Sequence, residues 1–254
     1  MKNCFFLLCF CVNYILSGGC SDEPMTAEDI VAKSYNRHGG KALSDWETMV
    51  IKGEVFKAWG QDTMHGEYLS YSQKPGKIRF EKDFTKFSHS PVFYTDIYNQ
   101  GESWRMLNLN TYSNNLIGRL AKRQFDGCDG IAFYRAHADT LIMHPEGLAT
   151  YVLDGDTVQT PAYIITTVIG EDSTTLYFDK KSYFLIQEEF KMAPVSPFRR
   201  VYTDFKRFGR VVLAERRIEF EPGSMGSSGV RYFIKSVEYN VPVDSALFEE
   251  FRPE

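Results

Sequence analysis

The stretch TMVIKGEVFKAW, Thr48 to Trp59, decides the fold because its residues alternate in character with a period of two. Met49, Ile51 and Val55 are apolar, and they alternate with neighbours that include the charged Lys52. Alternation of this kind is typical of a β-strand with one buried face. The stretch therefore predicts an amphipathic strand.

Similar alternating segments follow along most of the chain. They are HGEYLSYS, GKIRFEKDF, PVFYTDIYN, ESWRMLNL, ATYVLDG, PAYIITTVIG, STTLYFDKK, SYFLIQEEFKM, FRRVYTDFKRFG, RVVLAERRIEF and GVRYFIKSVEYNV. Turn signals such as KPG at Lys74 to Gly76 and NQG at Asn99 to Gly101 separate them. The pattern predicts an antiparallel meander of about 11 strands, and a sheet of that size twists and tends to curl.

The residues before the first strand repeat with the period of a helix. In TAEDIVAKSYNRHGG, Thr26 is the predicted N-cap, and Gly39 and Gly40 are the predicted end. A short turn, KALSDW, then brings Trp46 inward. At the other end of the chain, DSALFEEF predicts a short helical piece.

The strand pattern is interrupted between about Ser113 and Asp139. SNNLIGRLAKRQF has apolar residues at roughly helical spacing, and IAFYRAHAD reads as a second short helix. The sequence therefore predicts a single α+β domain over residues 26–254. It would be a curved antiparallel half-open β-barrel with an N-terminal helix and a helical lid insert over its concave face.

Four phrases resemble proteins of the LolA/LolB-like superfamily: EDIVAKSYNRHGGKALSDW, LYFDKKSYFLIQEEF, YTDFKRFGRVVLAERRIEF and IKSVEYNVPVDSALFEEFRP. In that superfamily, half-open barrels enclose a hydrophobic cavity under a helical lid. The resemblance implies the same fold here, and a cavity that takes lipid or the acyl chains of a lipoprotein. The soluble carrier of that superfamily has no lipid anchor, whereas this chain has the features of one.

Aromatic residues are abundant, with 20 Phe, 15 Tyr and 3 Trp. Large rigid rings suit the lining of a cavity for apolar groups. The candidates for the cavity lining are Trp59, Trp104, Leu116, Leu120 and Phe133. The alternative is that these side chains simply fill a core, as buried aromatic residues do in most β proteins.

The N-terminus has the layout of a secretory signal peptide. Lys2 precedes the apolar run Cys4 to Leu16, which is shorter than the ~20 residues of a membrane-spanning helix. The small residues of SGGC, Ser17 to Cys20, resemble the lipobox of bacterial lipoproteins. We expect residues 1–19 to be a signal cleaved between Gly19 and Cys20, with Cys20 lipidated and 20–25 a tether. The alternative is an ordinary signal with an incidental cysteine.

The residues after Cys20 bear on localisation. Ser21 replaces the aspartate that holds some lipoproteins in the inner membrane, which favours the outer membrane. Asp22 and Glu23 resemble a serine-plus-acidic signal for the cell surface, or they belong to an ordinary solvated tether facing the periplasm. Both orientations remain open from the sequence.

Composition excludes several classes of protein. The net charge is −4 with no basic stripe, so we expect no nucleic-acid partner. Of the five cysteines, only Cys128 lies beyond the signal and Cys20, so the chain has no disulfide framework. Neither H-E-x-x-H, G-x-S-x-G nor G-x-G-x-x-G occurs, and we expect neither a cofactor nor enzymatic activity.

One group of metal-ligating residue types lies close together in sequence, but its spacing matches no zinc pattern. Its members are Asp126, Cys128, Asp129, His137, Asp139 and His144. Polar loop residues of this kind are usually solvated, so we expect no metal site.

Two charged segments are candidate sites. Glu188 and Glu189 are neighbours in a predicted strand and should point to opposite faces, so they cannot act as an acid–base pair. The basic residues of FRRVYTDFKRF are expected on a solvated strand face, with a patch for lipid head groups or an acidic partner as the minor alternative. They are Arg199, Arg200, Lys206 and Arg207.

These patterns lead to a functional hypothesis. The chain is expected to be a monomeric envelope lipoprotein of the outer membrane, held by its lipid, that binds a hydrophobic ligand in a half-barrel. The alternative is an envelope scaffold whose core is filled by its own side chains and which binds no ligand.

Overall fold

A computed structural model describes residues 24–59, 62–85, 92–108, 110–113, 130–137, 139–192, 197–220 and 229–249. These residues form one 14-stranded sheet together with two α-helices. All paired strands are antiparallel, and among the described residues no ladder joins the two ends of the sheet. The predicted α+β class and half-open antiparallel barrel are confirmed.

The strands follow the predicted segments closely. They are β1 Thr48–Trp59, β2 Asp62–Gln73, β3 Lys77–Asp83, β4 Phe93–Asn99, β5 Glu102–Leu107, β6 Asn110–Ser113, β7 Thr140–Met143, β8 Gly147–Leu153, β9 Asp156–Ile169, β10 Asp172–Asp179, β11 Leu185–Lys191, β12 Phe198–Phe208, β13 Val211–Phe220 and β14 Val230–Tyr239. The sequence analysis missed β6 and β7. Each has four residues, which is too short to show a period of two.

The strand order brings the first and last strands together. It runs β6-β5-β4-β3-β2-β1-β14-β13-β12-β11-β10-β9-β7, and β8 pairs with the first half of β9. Met49 of β1 pairs with Tyr239 of β14 near the middle of the sheet. The sheet therefore consists of two sequential meanders joined by the β1–β14 ladder.

The first helix, α1 (Ala27–His38), begins at the predicted N-cap. The backbone N–H of Asp29 donates to Thr26 Oγ1 at 3.2 Å, and the Thr26 N–H donates back to the Asp29 carboxylate at 3.0 Å. This reciprocal capping box satisfies donors that a helix start would leave free. The helix ends at Gly39, whose φ is 125° and where a Cβ would lie 2.8 Å from the Arg210 carbonyl oxygen.

The second helix, α2 (Ile131–His137), confirms the helix predicted from IAFYRAHAD. It packs against α1, and the Arg135 guanidinium lies 4.1 Å from the ring centre of Tyr35. Ile131 and Tyr134 are fully buried in the main core. The first part of the predicted insert, residues 114–129, lies outside the described residues.

The sheet has two apolar layers, one on each face. We call the face that carries Ile51, Tyr68 and Tyr232 the inner face, and α1 and α2 pack over it in the main core. The opposite, outer face has a smaller core in which the β8–β9 hairpin covers β11 to β13, with Tyr151 and Ile218 as members. The inner face is therefore the one enclosed by helices.

The C-terminal segment packs on the outer face of β3 and β4. Ser245–Phe248 forms the predicted helical piece as a 3-10 turn. Arg79 Nη1 donates to the Leu247 carbonyl at 2.9 Å, and Asn99 Nδ2 donates to the Phe248 carbonyl at 3.2 Å. Within the described ranges, no helix is both long and apolar enough to cross a membrane.

Candidate functional site

An aromatic cluster lies at the centre of the inner face, where β2, β3 and β14 approach one another. The Tyr68 ring lies 5.6 Å from that of Phe80 and 5.4 Å from that of Tyr232, the latter edge to face. The Arg217 guanidinium lies 4.4 Å from the ring centre of Tyr232. Gly53 makes this packing possible, because a Cβ there would lie 2.3 Å from the Tyr68 ring. The cluster is therefore made of apolar rings with a cationic side chain packed against one of them.

Glu219 of β13 is the centre of an ionic cluster beside these rings. Arg200 Nε donates to its carboxylate at 2.8 Å, and the Tyr232 hydroxyl donates to it at 3.1 Å. Arg217 Nε lies 3.6 Å away, which is longer than a hydrogen bond. Burial alone would raise the pKa of Glu219, but the charges of Arg200, Arg217 and Lys82 lower it to about 2. Glu219 is therefore held as a carboxylate.

The cations of the cluster differ in how they are balanced. For Arg200, burial acts to lower the pKa, but the nearby Glu219 carboxylate outweighs it and raises the pKa. For Lys82, burial is the dominant effect and lowers the pKa, although Glu219 and Asp96 oppose it. The Lys82 ammonium lies 5.4 Å from the Tyr232 ring centre. Positive charge is thus concentrated on the inner face around one central carboxylate.

A second carboxylate lies beside Arg200, in the part of the inner face that α2 covers. Glu188 pairs in register with Arg200, is 1% exposed and accepts a hydrogen bond from the Tyr202 hydroxyl. The buried Tyr134 of α2 also contributes to the raised pKa of Arg200. The ionic cluster is therefore enclosed between the sheet and α2.

Little space remains between these side chains. A cavity of about 40 Å³ is lined by residues of the inner face that include Ile51, Tyr68, Phe80 and Arg217. That volume suffices for a water molecule but is far below the several hundred Å³ of typical ligand sites. The described inner face is therefore in a closed arrangement.

A larger groove of about 500 Å³ lies mainly on the outer face of β1 to β3. Its lining is dominated by charged side chains, among them Glu54, Glu67, Asp83 and Lys235. Lys235 pairs with Glu54 at 3.0 Å. Six of the eleven lining residues are charged, so the groove is a less suitable site for a lipid chain than the inner face.

The predicted cavity residues fall in different places. Phe133 lies in α2, is half-buried and packs against the main core. Phe80 is on the inner face, and it pairs with Asp96, which in turn pairs with Arg105, so Arg105 is also on the inner face. Trp104 is the neighbour of Arg105 in β5 and points the other way. Trp104 therefore lies on the outer face.

The remaining predicted sites fall largely outside the described structure. Trp59 ends β1, and its side chain is not among those described. Leu116, Leu120, Gly19 and Cys20 all lie outside the described residues. Their roles in ligand binding and in lipid attachment stay predictions.

The prediction for the basic run was wrong at Arg200. This side chain is almost fully buried and paired, while Lys206 and Arg207 are exposed as expected. The placement of Glu188 and Glu189 on opposite faces is supported by their partners, since Tyr202 bonds Glu188 and Tyr177 bonds Glu189.

The sequence analysis missed Lys82, Arg217, Glu219 and Tyr232. One signal for two of them was present, because Arg217 and Glu219 are two residues apart and share a strand face with the apolar Leu213. Their charges obscured the fact that this face is enclosed.

The metal-ligating residue types do not assemble into a site in the part of the chain that the structure describes, where no group of three or more could hold an ion. His144 Nε2 instead lies 2.9 Å from the Thr166 hydroxyl, and Asp139 accepts from the Gly170 N–H at 3.0 Å. Asp126, Cys128 and Asp129 lie outside the described residues.

Comparison with known proteins identifies the fold. No family model matches the sequence, and no curated protein matches it. Solved structures do match. A DUF1329 family protein from Desulfovibrio piger has a TM-score of 0.57 and 10% identity, with 88% of this chain and 95% of that chain covered.

Two further solved structures share the fold. A LolA superfamily protein from Nitrosomonas europaea has a TM-score of 0.54 and 12% identity, covering 89% of this chain and 99% of that one. A domain from Vibrio parahaemolyticus assigned to outer membrane lipoprotein sorting has a TM-score of 0.54 and 11% identity, covering 88% and 97%. The chain therefore has the fold of the LolA superfamily.

Proposed function

We propose that this chain is a lipid-anchored protein of the bacterial outer membrane that binds a hydrophobic ligand between its sheet and its helices, without catalysing a reaction. The ligand would be a lipid or the acyl chains of a lipoprotein. The fold supports this proposal, as does the assignment of one structural neighbour to lipoprotein sorting.

The observation that carries the proposal is the helical cover over the inner face. The helix α2 is only seven residues long, and it packs on α1 and buries Ile131 and Tyr134 in the main core. A helix this short depends on its packing for stability, so it can be displaced as a unit. Because the enclosed cavity is about 40 Å³, an acyl chain enters only when α2 moves.

The test is uptake of a fluorescent fatty acid by the chain without its anchor. Phe133→Asp places a charge on the underside of α2 and should weaken uptake about tenfold, which corresponds to about 1.4 kcal/mol. Ala136→Asp, on the exposed side of the same helix, is the matched control and should bind as the native chain does. Equal uptake by both variants, with an unchanged circular dichroism spectrum, would contradict the proposal.

A second candidate function is an envelope scaffold that binds no ligand. The small cavity and the ion pairs of the inner face favour it, because both are features of a self-filled core. Native mass spectrometry of the anchorless chain purified from cells separates the two. A co-purifying lipid supports ligand binding, whereas a bare chain that also takes up no fatty acid supports the scaffold.

The anchor is tested separately at Cys20. Cys20→Ser should leave a folded protein that is released from the membrane fraction or held by an uncleaved signal. A variant that still fractionates as a mature acylated protein would rule out the lipidation of Cys20.

The orientation on the membrane is tested at the acidic pair. Proteinase K added to intact cells should degrade the native protein if Asp22 and Glu23 direct it to the surface, and the Asp22→Ala, Glu23→Ala variant should then be protected. Equal protection of both would place the protein on the periplasmic side.

A further inference from the structure

Exposed apolar side chains are confined to one short stretch of the described structure. Among the residues that the structure describes, the large apolar side chains classed as exposed are Ile142, Met143 and Leu148, at 45%, 38% and 50%. We call these three residues the apolar rim. They lie at the end of β7 and the start of β8, around the bend at Pro145. Such a cluster on an otherwise polar surface marks an interaction site.

The apolar rim lies at the edge of the sheet that borders the inner face. Met143 pairs with Ile165 and Leu148 pairs with Pro161 along β9. Ile165 belongs to the main core beneath the helices. Because paired residues share a face, Met143 and Leu148 continue the inner face outwards to the edge of the sheet. Ile142 pairs with Thr166 and lies on the other face of the same edge.

The start of the described chain lies next to this edge. The Tyr183 hydroxyl donates to Met25 Sδ at 3.8 Å, and the Tyr183 ring stacks on Tyr163 at 5.8 Å. Lys180 then links Tyr163 to the rim. The Lys180 ammonium lies 5.4 Å from the ring centre of Tyr163. The backbone N–H of Lys180 donates to the carbonyl of Pro161, which pairs with Leu148.

The tether between Cys20 and Met25 limits how far the protein can lie from its membrane. Five residues span at most about 18 Å even when fully extended. A lipid on Cys20 therefore holds the Met25 side of the protein within about 18 Å of the bilayer surface. The apolar rim lies on that side.

We propose that the apolar rim rests in the interface of the membrane to which the chain is anchored. The inference rests on the proposed function through the lipid on Cys20. It adds an orientation, in which the edge formed by β7 and β8 faces the bilayer and the inner face opens towards it. A ligand would then pass between the bilayer and the space under α2 without crossing water.

The experiment replaces the natural anchor with an artificial one. The chain from residue 20, with Cys20→Ser and Cys128→Ser, carries an N-terminal hexahistidine tag and is bound to phosphatidylcholine vesicles that contain a nickel-chelating lipid. A single environment-sensitive fluorophore is attached at Leu148→Cys. The expected result is a blue-shifted emission on vesicles and quenching by brominated acyl chains.

The control label is at Lys235→Cys, which is exposed on the outer face of β14, five strands from β9 in the sheet. It should show neither the shift nor the quenching. With the label moved to Met143→Cys, the further substitution Leu148→Asp should reduce the quenching, because it puts a charge into the interface. A Leu148 label that behaves like the Lys235 label would overturn the proposal.

One other result would also overturn the proposal. A shift that appears without vesicles and grows with protein concentration would mean that the rim binds a second copy of the chain, which overturns the membrane orientation. The tag replaces the lipid, so the vesicle result does not depend on acylation in cells. Loss of the Cys20 anchor and failure of the rim are therefore distinguishable.

Discussion

An Arg–Glu pair on the inner face of the sheet and a Lys–Glu pair on the outer face lie in opposite surroundings. Arg200 and Glu219 on the inner face are 2.8 Å apart, with side chains 5% and 23% exposed. Lys52 and Glu238 on the outer face are 3.1 Å apart, with side chains 55% and 45% exposed. The distances are similar, so geometry alone does not distinguish the two pairs.

The difference shows that burial decides what an ion pair contributes. In an exposed ion pair, the attraction between the charges is weakened by the surrounding water and screened by salt, so each such pair contributes little to the free energy of unfolding. A buried pair stabilises the fold only while it is complete, because removing one partner leaves a charge without solvent or counterion. Arg200 and Glu219 should therefore be intolerant of single changes, whereas Lys52 and Glu238 should accept them.

The largest expected effect is at the centre of the inner cluster. Glu219→Gln keeps the shape of the side chain but leaves Arg200 and Arg217 without their shared counterion. We expect it to lower the free energy of unfolding by about 3–5 kcal/mol, measured by urea denaturation. The matched variant on the same strand is Glu215→Gln, whose partner Lys206 is exposed, and it should lower that free energy by less than about 1 kcal/mol. Similar losses in both variants would remove the distinction between buried and exposed ion pairs.

The next effect is a pH dependence that comes from His38. Burial lowers the pKa of His38 to about 4 from 6.5, although the Val212 carbonyl, 2.8 Å from Nδ1, opposes this. The unfolded chain therefore takes up a proton between pH 6.5 and 4 that the folded chain does not. The stabilisation is fully present above pH 6.5 and falls as the pH drops towards 4, by about 3 kcal/mol in all.

Unfolding curves recorded across that pH range check this expectation. His38→Phe should lose this part of the pH dependence, whereas His144→Gln at the edge of the sheet retains His38 and should keep it. If the slopes of the two variants agree, His38 is not the group responsible.

A smaller effect compares two adjacent glutamates on opposite faces. Tyr202→Phe removes the hydroxyl that donates to the buried Glu188 and should lower the free energy of unfolding by about 2 kcal/mol. On the outer face, the Tyr177 hydroxyl forms a hydrogen bond with Glu189, and burial, followed by the nearby Glu189, raises the pKa of Tyr177 to about 12. Tyr177→Phe removes this hydrogen bond and should lower the free energy of unfolding by less than about 1 kcal/mol. The reverse order of the two losses would contradict the assignment of faces.

The smallest effect is at the outer pair itself. A double-mutant cycle over Lys52→Ala and Glu238→Ala should give a coupling energy below about 1 kcal/mol. The coupling should fall further in high salt, because exposed charges are screened. A coupling that exceeds this value and persists in salt would show that the outer pair is as consequential as the inner one.

The sequence predicted the elements well because their signals are local. The capping box at Thr26 and Asp29, the period of two from Thr48 to Trp59, and the helix at Ile131–His137 each depend on neighbouring residues. The resemblance to the LolA/LolB-like superfamily then predicted how these elements assemble. The fold could therefore be anticipated in outline.

The contents of the inner face could not be anticipated, because they depend on distant residues. From the sequence, Arg200 is predicted to lie on the surface, because its contacts with Glu219 and with Tyr134 of α2 come from distant parts of the chain. Asp204, with a φ of 57°, is left out of the ladder between β12 and β13, although the register is the same on both sides of it. Trp104 lies on the outer face. Its aromatic character could not reveal this, because aromatic residues occur on both sides of this sheet.

The ladder between β1 and β14 has a consequence for the order in which the chain can fold. Met49 meets Tyr239, so the two meanders are joined only after almost the entire polypeptide has been made. Closing so long a loop is entropically unfavourable and slow compared with forming the hairpins within each meander. Until that step, β1 and β13 each present an unpaired edge to their surroundings. A nascent chain that stops short of β14 therefore exposes two strand edges that invite aggregation, and the arrival of β14 protects both of them at once.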